Sequence, residues 1–223
     1  MLTIHRGHRR PDRALLERFR GAQTSHLVDA MDGRGGMDWR IKPLDPNNAS
    51  FVGPALAALT YPADIVGVQG ALGEAQAGDV VVVANDFYMH AAVLGDLVAG
   101  MMKNKGVAAF VSEGPGRDKT GIVATGLPVF VSGVVPTSPA TNGPGVVGTP
   151  IVCGGIAVRS GDIVVGDADG VVVVPIERAE AVLEALDQVR ALEAKAVAAV
   201  EAGATESEKV RRLMAAATIV QVG

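Results

Sequence analysis

"GDVVVVANDFYMHAAVLGDLVAGMMKNKGVAAFVSEGPGRD", Gly78 to Asp118, decides the fold. "GDVVVVAND" is a short β-branched apolar run, the pattern of a strand buried on both faces. "HAAVLGDLVAGMMKNKG" sets Leu94, Leu97, Val98, Met101 and Met102 at helical spacing and stops on lysines and Gly106. "VAAFVS" is a second strand. Strand, crossover helix and strand make a βαβ unit, so the strands are predicted to be parallel and the crossover right-handed. Their carboxyl ends and the helix N-terminus then share one sheet edge, where open α/β folds bind ligands.

The flanks extend this reading. Upstream, "PDRALLERFRG" and "TSHLVDAMDGRGG" are helices, the first starting at Pro11 and stopping at Gly21, the second capped by Thr24. "FVGPALAALTYP" is an apolar strand. Downstream, "LPVFVSG" is a strand, and Val134 to Thr149 reads as loop. "IVCGGIAVRSGDIVVGDADGVVVVP" reads as strands broken by Gly-Asp turns, with "GDADG" as a hairpin turn. The tail, "PIERAEAVLEALDQVRALEAKAVAAVEAG", is a long alanine-rich helix, followed by a second helix with a capping box from Thr205 to Glu208. Its apolar stripe calls for a partner surface, which a neighbouring subunit would supply.

Composition excludes several classes. The 223 residues suit one compact domain with a small extension. A net charge of −4 without a basic run argues against a nucleic-acid surface. The N-terminus has no apolar stretch of a secretory signal, and no segment is long and apolar enough to span a membrane. The single cysteine, Cys153, permits no internal disulfide, fits a cytoplasmic setting and reads as a small buried residue. The histidines His5, His8, His26 and His90 lack zinc-site spacing, and His90 reads as a polar loop residue. "GPGVVG", Gly143 to Gly148, matches a dinucleotide fingerprint in letters only. A loop precedes it and a β-rich run follows, so it reads as a pocket rim.

The carboxylates carry the chemistry. Asp86 follows the first strand, Asp96 opens the crossover helix, and Arg117-Asp118 follows the second strand. Asp86 reads as a turn former. Gly95, Asp96, Arg117 and Asp118 are predicted to converge. A helix N-terminus with a glycine offers N–H groups to a carboxylate. An arginine forks onto a carboxylate and an adjacent oxygen. A lone aspartate with room around it suits Mg²⁺ or Mn²⁺, which keep several waters. Together they suit an enolate forming beside a carboxylate.

From about Tyr61 to Pro175 the chain resembles the RraA-like family, which includes the 4-hydroxy-4-methyl-2-oxoglutarate and 4-carboxy-4-hydroxy-2-oxoadipate aldolases. The segments that carry the resemblance are "YPADIVGV", "LGDLVAGMMKNKGVAAFVSEGPGRD", "GLPVFVSGVVPTSP", "GPGVVGTPIVCGG" and "RSGDIVVGDADGVVVVP". The motif is Gly95, a fixed gap, then Arg117-Asp118. The resemblance implies a swivelling-domain-like α/β/β/α sandwich with a mixed sheet over residues 1–175 and a C-terminal helical extension over 176–223. It implies trimers or hexamers with sites at subunit interfaces. Asp118 would be the direct ligand of Mg²⁺ or Mn²⁺. Arg117 would bind the substrate's keto oxygen, and the N–H groups around Gly95, Asp96 and Leu97 its carboxylate. Asp96 would hold metal waters, and Glu193 of a neighbour would reach the site. The implied reaction is metal-dependent retro-aldol cleavage of a keto acid to pyruvate, with oxaloacetate decarboxylation beside it. A non-catalytic regulator of an RNA-processing enzyme is the alternative. One departure stands out: family members usually carry Glu or Asp three positions after the aspartate, where this chain has Gly121.

Overall fold

The computed structural model of the chain describes residues 1–220. Its strands and helices run in the order β1 (Leu2–Ile4), α1 (Arg13–Phe19), α2 (Thr24–Ala30), β2 (Lys42–Pro43), β3 (Phe51–Thr60), α3 (Val66–Glu74), β4 (Val80–Ala84), α4 (Asp96–Asn104), β5 (Ala109–Ser112), α5 (Lys119–Thr125), β6 (Val129–Val131), β7 (Gly145–Val147), β8 (Ile151–Cys153), β9 (Ile156–Val158), β10 (Ile163–Asp167), β11 (Gly170–Val174), α6 (Ala179–Glu201) and α7 (Glu208–Ala216).

The β4–α4–β5 unit forms as the sequence predicts. β4 and β5 pair in parallel, Val80 opposite Ala109 and Val83 opposite Ser112. β3 and β6 extend this parallel sheet on either side, and β2, β7 and β10 add antiparallel pairings. The long β3 joins two layers. Its first residues pair with β10 and its last with β7, while Ala55–Leu59 lie beside β4.

The side-chain period of two divides the valines between two cores. Val81 and Val83 pack with Phe110 under α3, α4 and α5, against Val68, Ala99, Met102 and Ile122. Val80, Val82 and Ala84 face the other way, onto Val164, Val171 and Val173 of the β10–β11 hairpin and onto the β8–β9 hairpin. The outer face of β10–β11, through Ile163, Val165, Val172 and Val174, is covered by Phe19 of α1, Leu27 of α2 and Val182, Leu183 and Leu186 of α6. The result is an α/β/β/α sandwich with a mixed sheet and C-terminal helices. Cys153 is fully buried between the β layers, and burial, then the nearby Glu113 charge, pushes its thiol pKa up.

Local expectations fail at three places. Thr24 does not cap α2. It is the first helical residue, and its N–H and hydroxyl both donate to Asp167, at 2.8 and 2.7 Å. A carboxylate from β10 thus closes the helix start. Gly143–Gly148 is not loop throughout, because Gly145–Val147 is a strand between β1 and β3. In the tail Ser207, not Thr205, caps α7, accepting from Val210 N–H at 3.2 Å. The first half of α6 packs on α2, whereas Ala191 to Val220 is exposed throughout.

Candidate active site

The chain leaves β4 into Asn85–Gly95, a loop whose Asp86 and Phe87 both adopt left-handed backbone, φ 56° and 51°. The next loop, after β5, is stitched beside it. Val93 N–H donates to Pro115 O at 2.8 Å, and Arg117 N–H to Leu94 O at 2.9 Å. A third segment joins through Gly116 N–H to Gly133 O, 2.9 Å. These bonds set Gly95 next to Arg117 at the carboxyl edge of the sheet, where α4 and α5 both begin.

Asp118 is the N-terminal flanking residue of α5 and sits in the left-handed region at φ 55°, ψ 43°. A non-glycine residue there costs of order 1 kcal/mol, which aspartate tolerates better than most side chains. Its carboxylate makes no capping bond, and nearly half of its side chain is exposed, so it is held back from its local partners. Arg117 lies against it, Nε 3.2 Å from Asp118 Oδ2, while Arg117 Nη1 donates to Ser138 Oγ.

Two glycines make the convergence possible. A Cβ on Gly95 would stand 3.0 Å from Asp118 Oδ2. A Cβ on Gly121 would stand 2.6 Å from Asp96 Oδ2 and 2.7 Å from Asp96 Cβ. Each helix start therefore presents a glycine where the other presents a carboxylate. This explains the unusual residue at 121: Asp96 occupies its side-chain space. Asp96 Oδ1 also accepts the N–H of Leu97 at 2.7 Å, so that N–H is already engaged rather than free for a ligand.

A cleft of about 120 Å³ opens here, lined by Gly95, Asp96, Leu97 and Arg117 with Ile65 and Pro139. The structure thus brings together Gly95, Asp96, Leu97, Arg117 and Asp118. Asp86 is exposed and does not line the cleft; His90 is exposed, edge-on to Tyr88 at 5.5 Å. Glu193 lies on the exposed half of α6 and does not line the cleft of its own chain. Among the described residues, no three His, Cys, Asp or Glu side chains gather as a metal cage.

Sequence reasoning missed three residues that frame the site. Ser138 holds Arg117 from the front. Glu113, almost fully buried, accepts from Asn85 N–H (3.1 Å) and Gly154 N–H (2.8 Å), tying the β4 loop to the β8–β9 turn. Asp64, 4% exposed, accepts from Val66, Asn142 and Gly143 N–H at 2.7, 2.6 and 2.9 Å. Burial alone would raise its pKa, but the three backbone donors outweigh it and hold the pKa below the usual carboxylate value. The stability Asp64 contributes is therefore complete above an unfolded pKa of about 3.9 and lost as pH falls through the lower folded value. Melting curves between pH 5 and 2 should show this loss, and Asp64→Asn should flatten it.

Comparison with known proteins agrees with this architecture. Residues 24–173 match the RraA-like family model, described as Aldolase/RraA. A Halalkalibacterium halodurans protein, provisionally named a 4-hydroxy-4-methyl-2-oxoglutarate aldolase, is 38% identical over 169 residues, covering 76% of this chain and 80% of its own. An uncharacterized Pseudomonas syringae protein superposes with a TM-score of 0.77 at 25% identity, over 89% of this chain and 97% of that one. A Streptomyces coelicolor structure, described as an unusual member of the RNase ES inhibitor RraA family, superposes at 0.75 with 26% identity, over 84% and 98%. With two thirds of its length matched by the family model and a relative at this identity, the chain belongs to the RraA-like family.

Proposed function

We propose that the chain is a divalent-metal-dependent carbon–carbon lyase that releases pyruvate from a 2-oxo-4-hydroxy di- or tricarboxylic acid. Oxaloacetate decarboxylation is its side activity. The observation that carries this reading is the pair of carboxylates, each opposed by a glycine, beside one arginine at two meeting helix starts.

The donor set fits a hard cation. Asp118 and Asp96 are oxygen donors, Asp118 is uncapped, and with Arg117 the cluster carries a net single negative charge. A divalent ion reverses that sign and so matches an anionic substrate. Asp118 would hold Mg²⁺ or Mn²⁺ directly and Asp96 would bond to its waters, an arrangement suited to ions that stay hydrated. When bound, the ion supplies a Lewis acid beside the substrate's keto oxygen.

The protein's own groups do the rest. Arg117, anchored by Asp118 and Ser138, points a rigid cation at the keto oxygen, where negative charge develops. The α4 start attracts the adjacent carboxylate through its helix dipole. Asp96 takes the proton of the C4 hydroxyl through a water. The C3–C4 bond then breaks, its electron pair forming the pyruvate enolate, while C4 becomes the carbonyl of the second product. Return of the proton to C3 completes pyruvate.

Gly121 gives a specific prediction. Gly121→Ala should lower kcat/KM about 10-fold by displacing Asp96, the scale of effect seen when groups orienting a metal's surroundings are lost. Alanine is the better helix former by roughly 0.5–1 kcal/mol, but Asp96 Cβ at 2.7 Å cannot rotate away, so the helix starts must also shift and the melting temperature should fall modestly beside the activity. Parallel kinetics and calorimetry on the variant separate the two.

The lyase reading is tested by incubating the protein with oxaloacetate or 4-hydroxy-4-methyl-2-oxoglutarate and Mg²⁺ or Mn²⁺, following pyruvate by a coupled assay. Pyruvate release that stops on chelation is expected; rates equal to the protein-free control with both metals contradict it. The likeness to the Streptomyces protein favours a second reading, a non-catalytic regulator of an RNA-processing enzyme. That reading gives Arg117 and Asp118 no chemical task and expects the protein-free rate.

A further inference from the structure

The segment from Val134 to Pro144 runs along the cleft as a strap, touching it at Pro139, and its attachments run in sequence. Thr137 O accepts from Ala92 N–H at 3.0 Å. Ser138 Oγ accepts from Arg117 Nη1. Pro139 forms part of the cleft wall. Ala140 N–H donates to Ala63 O at 2.7 Å, and Ala140 O accepts from Ile65 N–H at 3.1 Å. The strap ends at Asn142 and Gly143, whose N–H groups both donate to Asp64 Oδ2.

Asp64 is the buried member of this chain of contacts. Its other oxygen holds Val66 N–H, fixing the β3–α3 turn that carries Ile65, another residue lining the cleft. The turn is strained at Ala63, φ 58°, a value a β-carbon resists unless its surroundings impose it. Ser138 itself is exposed, so its position depends on where the strap is fastened. Of the strap's fastenings, Asp64 gathers two backbone donors on one oxygen. The mechanism above gives it no part.

We propose that Asp64 is a positioning residue for Arg117: by fastening the strap, it sets Ser138 and so aims the guanidinium across the cleft. Asp64 acts through backbone and Ser138, without serving the substrate. The inference rests on the lyase reading only in taking Arg117 as the group that meets substrate.

The test uses Asp64→Asn, Ser138→Ala and the double variant in the full-length protein, with two readouts. The first needs no substrate: hydrogen exchange of the Arg117 Nη1–H, the group bonded to Ser138 Oγ, followed by NMR, should speed up at least about 10-fold in both single variants. The second is oxaloacetate decarboxylation with Mg²⁺, where each single variant should lose about 10- to 100-fold in kcat/KM, as misplacement of a reacting group by up to about 1 Å does. The double variant should be no worse than Asp64→Asn alone within twofold, because both changes break one route. If Asp64→Asn does not fold, Asn142→Pro replaces it, since it deletes one of the two N–H groups given to Asp64 Oδ2 and leaves the buried carboxylate in place. Arg117 exchange within twofold of wild type in the strap variant, or losses that multiply in the double variant, would overturn the proposal. A wild type that lacks activity sinks the lyase reading alone; the exchange measurement still decides the strap.

Discussion

Asp118→Asn should lower kcat/KM for pyruvate release by about 10²–10³-fold without a measurable change in melting temperature. The choice of asparagine matters. Asp118 sits at φ 55°, and asparagine shares aspartate's tolerance of that backbone, whereas alanine would add strain and confuse the result. The lost charge touches little of the fold. The side chain caps nothing, is nearly half exposed and pairs only with the similarly exposed Arg117. Ion pairs of that kind are worth about 0–1 kcal/mol. On the lyase reading, removing the anion that would hold the cation beside the developing oxyanion costs about 3–4 kcal/mol of barrier instead, the scale of losing one oxyanion-stabilising group. Steady-state kinetics beside thermal melting reads both halves; equal rates in variant and wild type would refute the assignment.

Arg10→Met should have the opposite profile, lowering stability by about 3 kcal/mol while sparing the chemistry. Asp79 has 1% of its side chain exposed and receives Arg10 Nη2 together with Gln76 N–H at 2.8 Å. Truncating one partner of such a pair strands a buried charge, at about 3–5 kcal/mol. Arg10 is itself 30% exposed, so the lower figure applies. For a chain of this size that is a fall of about 6–12 °C in melting temperature. The exposed pair of Arg20 with Glu17 gives the contrast: its loss should change stability by less than about 1 kcal/mol. Adding Asp79→Asn to Arg10→Met should recover part of the loss, which calorimetry would detect.

What was legible in the sequence was what repeats locally. The valines of β4 and the capped apolar face of α4 fixed the parallel unit, and with it the sheet edge where Asp96, Arg117 and Asp118 meet. Contacts between distant segments left no such trace. Helix α5 has seven residues with a glycine inside and carries too little pattern to be seen. β7 exists because two other strands flank it, and Thr24 is capped by a residue 143 positions away. The facing of Gly121 by Asp96 needs coordinates, since neither residue's neighbours hint at the other. Asp64 was hidden for the same reason: two of its three donors lie 78 and 79 positions downstream. The engaged Leu97 N–H is a matter of side-chain rotation, below what spacing encodes.

On the proposed mechanism, Asp118 and Arg117 assemble a cation and a keto acid in one place. Titrating Mn²⁺ into wild type and Asp118→Asn, with and without pyruvate, and following free Mn²⁺ by electron paramagnetic resonance tests it most directly. One saturable Mn²⁺ per chain is expected in wild type, tightened by pyruvate, with loss of both binding and tightening in Asp118→Asn. Equal Mn²⁺ binding by the two proteins, or binding indifferent to pyruvate, would contradict it.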